Sequence, residues 1–306
     1  MINNTIDTLK PYSNTELPEA LERIINHNNF AHLCKYIYPD KSTTDVAEIL
    51  RTIKTIDEFQ QTFSIYMVNK IVELTTQGVT YDGIENIKDI TNNGHLFIAN
   101  HRDIVLDSAL MQKVLKDNNL PTTQITVGDN LMTDQLFIDI AKINKMFTLI
   151  RGGSKIQMYK NAILHSEYIR NLITKQKESL WIAQRDGRTK NGDDKTQQGL
   201  IKMLIGSQKD IKKALLELNI IPVSISYEFE SCAKAKTRET FISQHKEYKK
   251  DENEDMKSIL QGAMTFKGRV HISFGKNINN ILKNIPELPN NEIVDTVVKE
   301  LEPDIC

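Results

Sequence analysis

Residues 95–107 read His-Leu-Phe-Ile-Ala-Asn-His-Arg-Asp-Ile-Val-Leu-Asp. The run 95–99 is largely apolar, has the length of a strand and ends in polar residues, so it predicts a β-strand. A helix is expected over 104–117, which makes the residues between them a strand-to-helix turn. In a parallel sheet the active site lies just beyond the carboxyl ends of the strands. The turn that begins at Asn100 is therefore a candidate position for the chemistry.

Strand-like runs and helical stretches alternate along most of the remaining chain. Further strands are expected at 124–127, 147–150, 179–183, 220–226 and 269–274, and further helices at 154–175 and 208–218. This alternation is typical of an α/β fold with a mainly parallel central sheet flanked by helices.

The N-terminal part has a different pattern. Between about 18 and 74, apolar residues such as Ile56, Phe59 and Phe63 recur at three- and four-residue steps, as they do on one face of a helix. We therefore expect a helical N-terminal region over 1–78 and an α/β domain over 79–306. The charged segment 234–255 is expected to be an exposed loop or helix.

Composition restricts the class of protein. The 306 residues are 40% hydrophobic and 26% charged, as in ordinary globular proteins, and the net charge of -1 does not suggest a nucleic-acid partner. The three cysteines, Cys34, Cys232 and Cys306, form no Cys-x-x-Cys pair, so neither a disulfide framework nor a zinc site is expected. A reducing cytoplasm fits this cysteine usage best.

Hydropathy predicts no membrane span. The chain lacks an apolar run of roughly 18 residues, the length that a spanning helix needs. Its first 12 residues also lack the apolar centre of a secretory signal. A protein of this sequence that acts on lipids would therefore sit on the membrane surface.

Titratable and basic side chains follow three of the expected strands. His101 follows the first, Arg151 follows 147–150, and Arg188 and Lys190 lie in the run 184–195 after another. An imidazole can take a proton from an alcohol while a nearby carboxylate fixes its tautomer. No serine or cysteine has the context of a nucleophile elbow, so direct attack by an acceptor hydroxyl is favoured. The basic residues suit a phosphate group on that acceptor.

Each of these residues also has a structural interpretation. A lone histidine after a strand usually packs, and lone arginines or lysines in a loop are usually solvated. The adjacent Asp193 and Asp194 are expected to be solvated rather than to bind a metal. His101-Arg102-Asp103 matches the start of a protein-kinase catalytic loop, but the rest of that signature is missing.

Taken in order, these segments resemble the glycerol-3-phosphate and 1-acylglycerol-3-phosphate (lysophosphatidate) acyltransferase superfamily. Its blocks are Asn/Ser-His-Arg-Ser with a later Asp, an apolar strand ending in Ile-x-Arg or Ile-Arg, a Glu-Gly-x-Arg-Ser-Arg-like loop, and an Ile/Val-Pro-Val-x-Ile strand. The matching segments are Asn100-His101-Arg102 with Asp107, Phe147-Thr148-Leu149-Ile150-Arg151, Asp186-Gly187-Arg188-Thr189-Lys190, and Ile221-Pro222-Val223-Ser224-Ile225, with Gly83-Ile84-Glu85-Asn86-Ile87 as a lead-in. The resemblance covers about 79–274.

Two departures suggest a divergent, bacterial-type member. The family has four residues between its His and its Asp, which would place the carboxylate at Leu106, whereas Asp107 follows His101 with five between. Asp107 is favoured as the partner of His101, and Asp103 is the alternative. The third block is one residue short, with Asp186-Gly187-Arg188 standing where Glu-Gly-x-Arg is usual.

The resemblance implies a role for each matching residue. His101, oriented by Asp107, would be the general base, and the substrate-binding residues would be Arg102, Arg151, Asp186, Gly187, Arg188 and Lys190. The reaction implied is transfer of a fatty acyl group from acyl-CoA or acyl carrier protein to a hydroxyl of glycerol 3-phosphate or lysophosphatidate in phospholipid synthesis. No cofactor or metal is implied.

The same resemblance leaves alternatives open. The protein is expected in the cytoplasm, attached peripherally to the inner face of the membrane. It would then meet its acyl donor and its phosphorylated glycerol acceptor at that surface. One alternative is a non-catalytic lipid- or phosphate-binding member of the same scaffold, and another is an acyltransferase that uses a different lyso-lipid acceptor.

Overall fold

The computed structural model describes residues 2–251, 253–286 and 288–305, so Cys306 lies outside the described residues. The strands are β1 (Val79–Asp82), β2 (Leu96–Ala99), β3 (Gln124–Gly128), β4 (Met146–Leu149), β5 (Leu180–Ala183), β6 (Ile220–Tyr227) and β7 (Val270–Phe274). The α-helices are α1 (Ile2–Leu9), α2 (Leu17–Ile25), α3 (Phe30–Ile37), α4 (Thr43–Thr52), α5 (Ile56–Phe59), α6 (Ile65–Thr75), α7 (Leu106–Asp117), α8 (Gln135–Ile143), α9 (Lys155–Asn171), α10 (Gln198–Ile205), α11 (Ile211–Leu216), α12 (Ala233–Ser243), α13 (Glu254–Met264), α14 (Asn279–Leu282) and α15 (Asn290–Ile305).

The six strands expected from the sequence are present, and no end is shifted by more than one residue. β1 was not expected as a strand, because its four residues are half-exposed or exposed and form no apolar run. The charged segment 234–255 comprises most of α12, the stretch that follows it and the start of α13. Helices α8, α10 and α15 also lie outside the helical stretches expected from the pattern.

The described chain divides into two compact units. The first takes in the chain up to Lys70 and Gln124–Gly152, and the second takes in Ile71–Thr123 and the chain from Gly153 onwards. The division of the sequence into a helical region over 1–78 and a domain from 79 stays a prediction.

The first unit is mainly helical and packs around its own apolar core. Side chains from the N-terminal helices, among them Leu17, Ile24 and Phe59, are buried in this core together with Ile143 of α8. β3 and β4 pair in parallel, with Ile125 opposite Met146. The helical periodicity read between 18 and 74 therefore marks the faces that this core buries.

The second unit carries five strands in the order β1-β7-β6-β2-β5. The pairs β1/β7, β2/β6 and β2/β5 are parallel, whereas β6 and β7 are antiparallel. β2 pairs on both sides and is completely buried, which explains its unbroken apolar sequence. This confirms the expected α/β fold with a mainly parallel sheet flanked by helices.

Within the part of the chain that the structure describes, no helix is both long enough and apolar enough to traverse a bilayer.

Candidate active site

The candidate site begins where β2 ends, in the second unit. Asn100 is buried, and its side chain bridges to β6, because Oδ1 accepts the Ile225 N–H at 2.9 Å and Nδ2 donates to the Ile225 carbonyl at 3.0 Å. This amide bridge holds the end of β2 against its neighbour at the point where the polar turn starts. The first residue of the sequence block thus has a structural role of its own.

Asp107, in the first turn of α7, holds the turn together. Its Oδ2 accepts the backbone N–H groups of Arg102 at 2.7 Å and Asp103 at 2.9 Å, and it lies 3.0 Å from His101 Nδ1. Its Oδ1 accepts the Tyr227 hydroxyl at 2.8 Å. The carboxyl is buried, so these four donors replace the water that it loses.

The contact with Asp107 determines the tautomer of His101. A carboxylate oxygen can only accept, so Nδ1 of the ring must carry the proton that it donates. The neutral imidazole then has its lone pair on Nε2, the form required of a general base. The His101 side chain is 15% exposed and packs edge-to-face on Trp181, with 6.0 Å between the ring centroids. The ring is therefore oriented by Asp107 and supported by an aromatic face.

Asp103, the alternative partner, has other contacts. Its Oδ1 accepts the N–H groups of Val105 and Leu106, each at 3.1 Å, and its Oδ2 accepts the Ser231 hydroxyl at 3.0 Å. Burial raises the pKa of the Asp103 carboxyl, and the negative charge of Asp107 raises it further. Asp103 therefore shapes the turn before α7, which absorbs the extra residue between His101 and Asp107.

Tyr227 is a site residue that sequence reasoning missed. It is the last residue of β6, one position beyond the strand expected from the pattern. Burial raises the pKa of the Tyr227 phenol well above its usual value, and the charge of Asp107 adds to the shift. The hydroxyl therefore stays protonated and acts as a fixed donor to Asp107. The sequence offered one signal for this role, a tyrosine at the carboxyl end of an expected strand, where site residues of a parallel sheet lie.

The loop after β5, residues 184–196, lies against His101. The Thr189 N–H donates to the His101 carbonyl at 2.9 Å, and Asp194 Oδ2 accepts the His101 N–H at 2.9 Å. Gln184 is buried and closes the loop on itself, since its Nε2 donates to the Asp194 carbonyl at 3.0 Å. The first and third sequence blocks, which carry the base and the basic loop, are thus in direct contact.

The expectation of two solvated carboxylates in this loop is wrong for Asp194. Asp193 is exposed, but Asp194 is only 3% exposed. Its burial is stabilised by the His101 N–H and by Arg185, whose Nε lies 3.8 Å from Asp194 Oδ1. The sequence places both residues in a charged loop, and only their contacts distinguish them.

The basic side chains of the site differ in their surroundings. Arg188 is 8% exposed, and its Nη1 is buried without a hydrogen-bond partner among the described residues. Nε of Arg102 is likewise buried and has no hydrogen-bond partner among the residues that the structure describes. Lys190 is paired with Glu239 at 2.6 Å, while burial, followed by the charge of Arg188, lowers the pKa of the Lys190 ammonium. Arg102 and Arg188 thus keep cationic donors for a ligand.

The remaining residues of the third block line the outside of the loop. Asp186 is exposed, and its backbone N–H donates to Gln197 Oε1 at 3.0 Å. Gly187 has φ +71° and open space where a Cβ would stand. A side chain there would be strained by the backbone conformation, even though nothing would collide with it.

A family profile described as Acyltransferase matches residues 78–226, which contain β2, the His101 turn and the basic loop. This segment belongs to the acyltransferase family. The resemblance drawn from the sequence blocks is thereby confirmed. Among solved structures, the 1-acyl-sn-glycerophosphate (LPA) acyltransferase PlsC from Thermotoga maritima is similar over 94% of this chain and 96% of its own, with 15% identity and a TM-score of 0.38. A search of curated proteins finds no match.

Lys236 also contacts the turn after His101, and the sequence pattern concealed it. It belongs to the charged segment 234–255, which was expected to be exposed, but Lys236 is 3% exposed. Its Nζ donates to the Arg102 carbonyl at 2.7 Å and pairs with Glu230 at 3.0 Å. Asp107 accepts the Arg102 N–H and Lys236 donates to the Arg102 carbonyl, so two side chains hold the backbone of the turn after His101.

Arg151 of the second block belongs to the first unit, directly after β4, and is exposed. Its guanidinium lies over the backbone of Gly128, where an added Cβ would come within 2.8 Å of it. The role of Arg151 as a substrate-binding residue stays a prediction. As for metals, no group of three or more His, Cys, Asp or Glu side chains within the described ranges is arranged to hold an ion.

Proposed function

We propose that the protein is a glycerolipid O-acyltransferase that transfers a fatty acyl group from acyl-CoA or acyl carrier protein to a hydroxyl of glycerol 3-phosphate or lysophosphatidate. The observation that carries the proposal is the oriented base of His101 and Asp107, in contact with a loop that holds a buried cation. A base needs an acidic proton to take, and a buried cation needs an anion. A phosphorylated alcohol supplies both.

The reaction proceeds by direct transfer. Nε2 of His101 takes the proton of the acceptor hydroxyl while its oxygen attacks the carbonyl carbon of the acyl thioester. The tetrahedral intermediate then collapses, the carbon–sulfur bond breaks, and the thiolate takes the proton back from the imidazolium. Asp107 stabilises the imidazolium during this cycle. The Tyr227 hydroxyl and two backbone N–H groups hold Asp107 in place.

The oxyanion of the intermediate needs donors other than the first three N–H groups of the turn. The His101 N–H donates to Asp194, and the N–H groups of Arg102 and Asp103 donate to Asp107. All three are therefore engaged by carboxylates before substrate binds. Because such donors contribute strongly to acyl transfer, they must come from another part of the acyltransferase.

Arg102 and Arg188 support a phosphorylated acceptor. A buried donor without a partner costs about 1–3 kcal/mol, and more when the group is charged. A phosphate accepts several hydrogen bonds at once and would satisfy both guanidinium groups. Arg188 is buried in the loop that contacts His101, and this favours an acceptor that carries an anion close to its reacting hydroxyl.

An exposed apolar surface on the second unit supports attachment to the membrane. Met256, Leu260 and Met264 repeat every four residues along α13 and are 39%, 54% and 62% exposed. Beyond the helix, Phe266 continues this surface and packs near Phe229, with ring centroids 6.0 Å apart. An apolar surface of this kind suits a lipid interface. Peripheral attachment at the inner face of the membrane is thus part of the proposal.

The opposite face of α13 lies against the site. Ser258 and Gly262 are buried, and a Cβ at Gly262 would collide with the Asp103 carboxylate. The helix therefore has one face on the turn that carries the base and the other face exposed. Docking through the exposed face would bring lipid substrates close to the site.

The proposal is tested by incubating the purified protein with labelled acyl-CoA or acyl carrier protein and either glycerol 3-phosphate or lysophosphatidate. We expect transfer to one of the two acceptors, and a loss of roughly 10²–10⁴ in turnover for His101→Ala, the usual contribution of a general base. Near-wild-type turnover in that variant would refute the assignment of the base. Transfer to neither acceptor from either donor would contradict the reaction, and direct assay of other lyso-lipids as acceptors would then identify a different acceptor.

A further inference from the structure

Asp194 follows the basic motif in the chain and contacts the backbone of His101. It is almost completely buried, although carboxylates in charged loops are normally solvated. Its Oδ2 accepts the backbone N–H of His101 at 2.9 Å, and the two residues are 93 positions apart in the chain. The expected chemistry of the turn makes no use of this contact.

The loop is hydrogen-bonded to both backbone polar groups of His101, the N–H and the carbonyl. On one side Asp194 accepts the N–H, and on the other side the carbonyl accepts the Thr189 N–H at 2.9 Å. Thr189 directly follows Arg188 in the chain. The backbone that carries the buried guanidinium is therefore one residue away from a hydrogen bond to the base.

Internal contacts make the loop a closed structure. Gln184 Nε2 donates to the Asp194 carbonyl at 3.0 Å, and Gln184 Oε1 accepts the Thr196 hydroxyl at 2.8 Å. The Gly192 N–H donates to the Thr189 hydroxyl at 3.1 Å. These hydrogen bonds tie the two ends of the loop, at Gln184 and at Asp194–Thr196, to each other.

We infer that Asp194 is a positioning residue that joins the basic loop to His101, so that binding of the acceptor phosphate at Arg188 orders the catalytic base. The acceptor would complete the alignment of the residue that deprotonates it. The kinetic consequences rest on the proposed acyl transfer. The structural consequence, protection of the His101 amide, does not.

The test compares Asp194→Ala and Asp194→Asn with Asp193→Asn, an adjacent exposed carboxylate. Misplacement of a reacting group by about 1 Å can cost on the order of 100-fold in rate, so we expect Asp194→Ala to lower kcat by roughly 10- to 100-fold. It should also raise KM for the phosphorylated acceptor, while KM for the acyl donor stays the same. Asp194→Asn keeps an oxygen acceptor and should recover most of the activity. Asp193→Asn should match the wild type.

Hydrogen exchange of the His101 amide supplies a measurement that needs no turnover. The amide should exchange slowly in the wild type and in Asp193→Asn, and measurably faster in Asp194→Ala. Addition of glycerol 3-phosphate should slow it further only where Asp194 is present. If Asp194→Ala does not fold, Asp194→Asn takes its place: its uncharged oxygen is a weaker acceptor than the carboxylate, so the His101 amide should exchange faster than in the wild type, and identical exchange would overturn the role of Asp194.

The outcomes separate the two proposals. A folded Asp194→Ala with wild-type kcat, wild-type KM and unchanged His101 exchange would overturn the role of Asp194. An effect of equal size in Asp193→Asn would overturn it as well, because it would reflect loop charge alone. A wild-type protein that transfers no acyl group but shows the exchange pattern would refute the proposed function and leave the positioning role standing.

Discussion

Replacement of Asp107 by asparagine separates the charge of this residue from its geometry. Asparagine has nearly the same shape, and its carbonyl oxygen can take the place of Oδ2, which accepts from His101 Nδ1 and two backbone N–H groups. Its amide nitrogen then faces Tyr227, whose hydroxyl oxygen can accept instead of donate. The turn and the tautomer of His101 should therefore survive, and only the negative charge is lost.

The expected loss of rate follows from that charge. Two unit charges about 4 Å apart interact by roughly 4 kcal/mol at an effective dielectric constant of about 20, which corresponds to about 10³ in rate. The amide dipole of the asparagine retains part of this interaction energy with the imidazolium, so we expect kcat to fall by about 10²–10³ with KM nearly unchanged. A loss of tautomer would cost more, about 10⁴ by the example of serine proteases.

The assay is steady-state acyl transfer, with thermal unfolding measured on the same samples. Asp103→Asn is the matched control, because Asp103 is as buried as Asp107 and shares the turn but does not contact the His101 ring. It should keep kcat within a few-fold of the wild type. Wild-type turnover in Asp107→Asn, or an equal loss in Asp103→Asn, would refute the assignment of Asp107 as the partner of the base.

Three further substitutions test the cation of the basic loop, the burial of Asp103 and the exposed surface of α13. Arg188→Ala should raise KM for the phosphorylated acceptor by roughly 10-fold or more, the value of about 1.5–3 kcal/mol for a charged hydrogen bond, whereas the exposed loop cation of Lys195 should be replaceable by Ala without effect. Asp103→Asn should be more stable than the wild type at neutral pH, and denaturant titrations should show that this advantage disappears as pH falls towards the ordinary Asp pKa of 3.8. Asparagine is the more stable variant because the pKa of Asp103 is raised in the folded state, so the wild type loses free energy of unfolding as pH rises from 3.8 to that raised pKa. Equal pH profiles of the two proteins would contradict the argument from burial. Leu260→Ser combined with Met264→Ser should weaken flotation with phospholipid vesicles while leaving transfer to water-soluble glycerol 3-phosphate intact; unchanged flotation would reject the α13 surface as the docking face.

The sequence-based prediction of the site was strongest where neighbours in the chain are also neighbours in space. His101 and Asp107 lie six positions apart across a strand-to-helix turn, so their proximity follows from local structure. Which carboxylate contacts the ring was open, because Asp103 and Asp107 both lie within reach of such a turn. The backbone N–H groups of residues 102 and 103 decide it, since they converge on Asp107.

Other residues of the site could not be found by local patterns. Tyr227 and Lys236 contact the turn from 120 and 134 positions away. Lys236 looks like one more lysine in a charged helix, and its burial depends on Glu230 and on the Arg102 carbonyl. A charge is buried only where partners replace its water, and no window of sequence contains those partners.

The amino-acid sequence by itself determined the α/β class, the strand that carries the base and the order of the motif blocks. It could do so because a strand buried on both faces must be continuously apolar, and because each block needs only a few consecutive residues. The tertiary structure alone decided the antiparallel pairing of β6 and β7, the burial of Asp194 and the grip of its loop on His101. Those features depend on hydrogen bonds between segments far apart in the chain, and such bonds exist only once the sheet has brought the segments together.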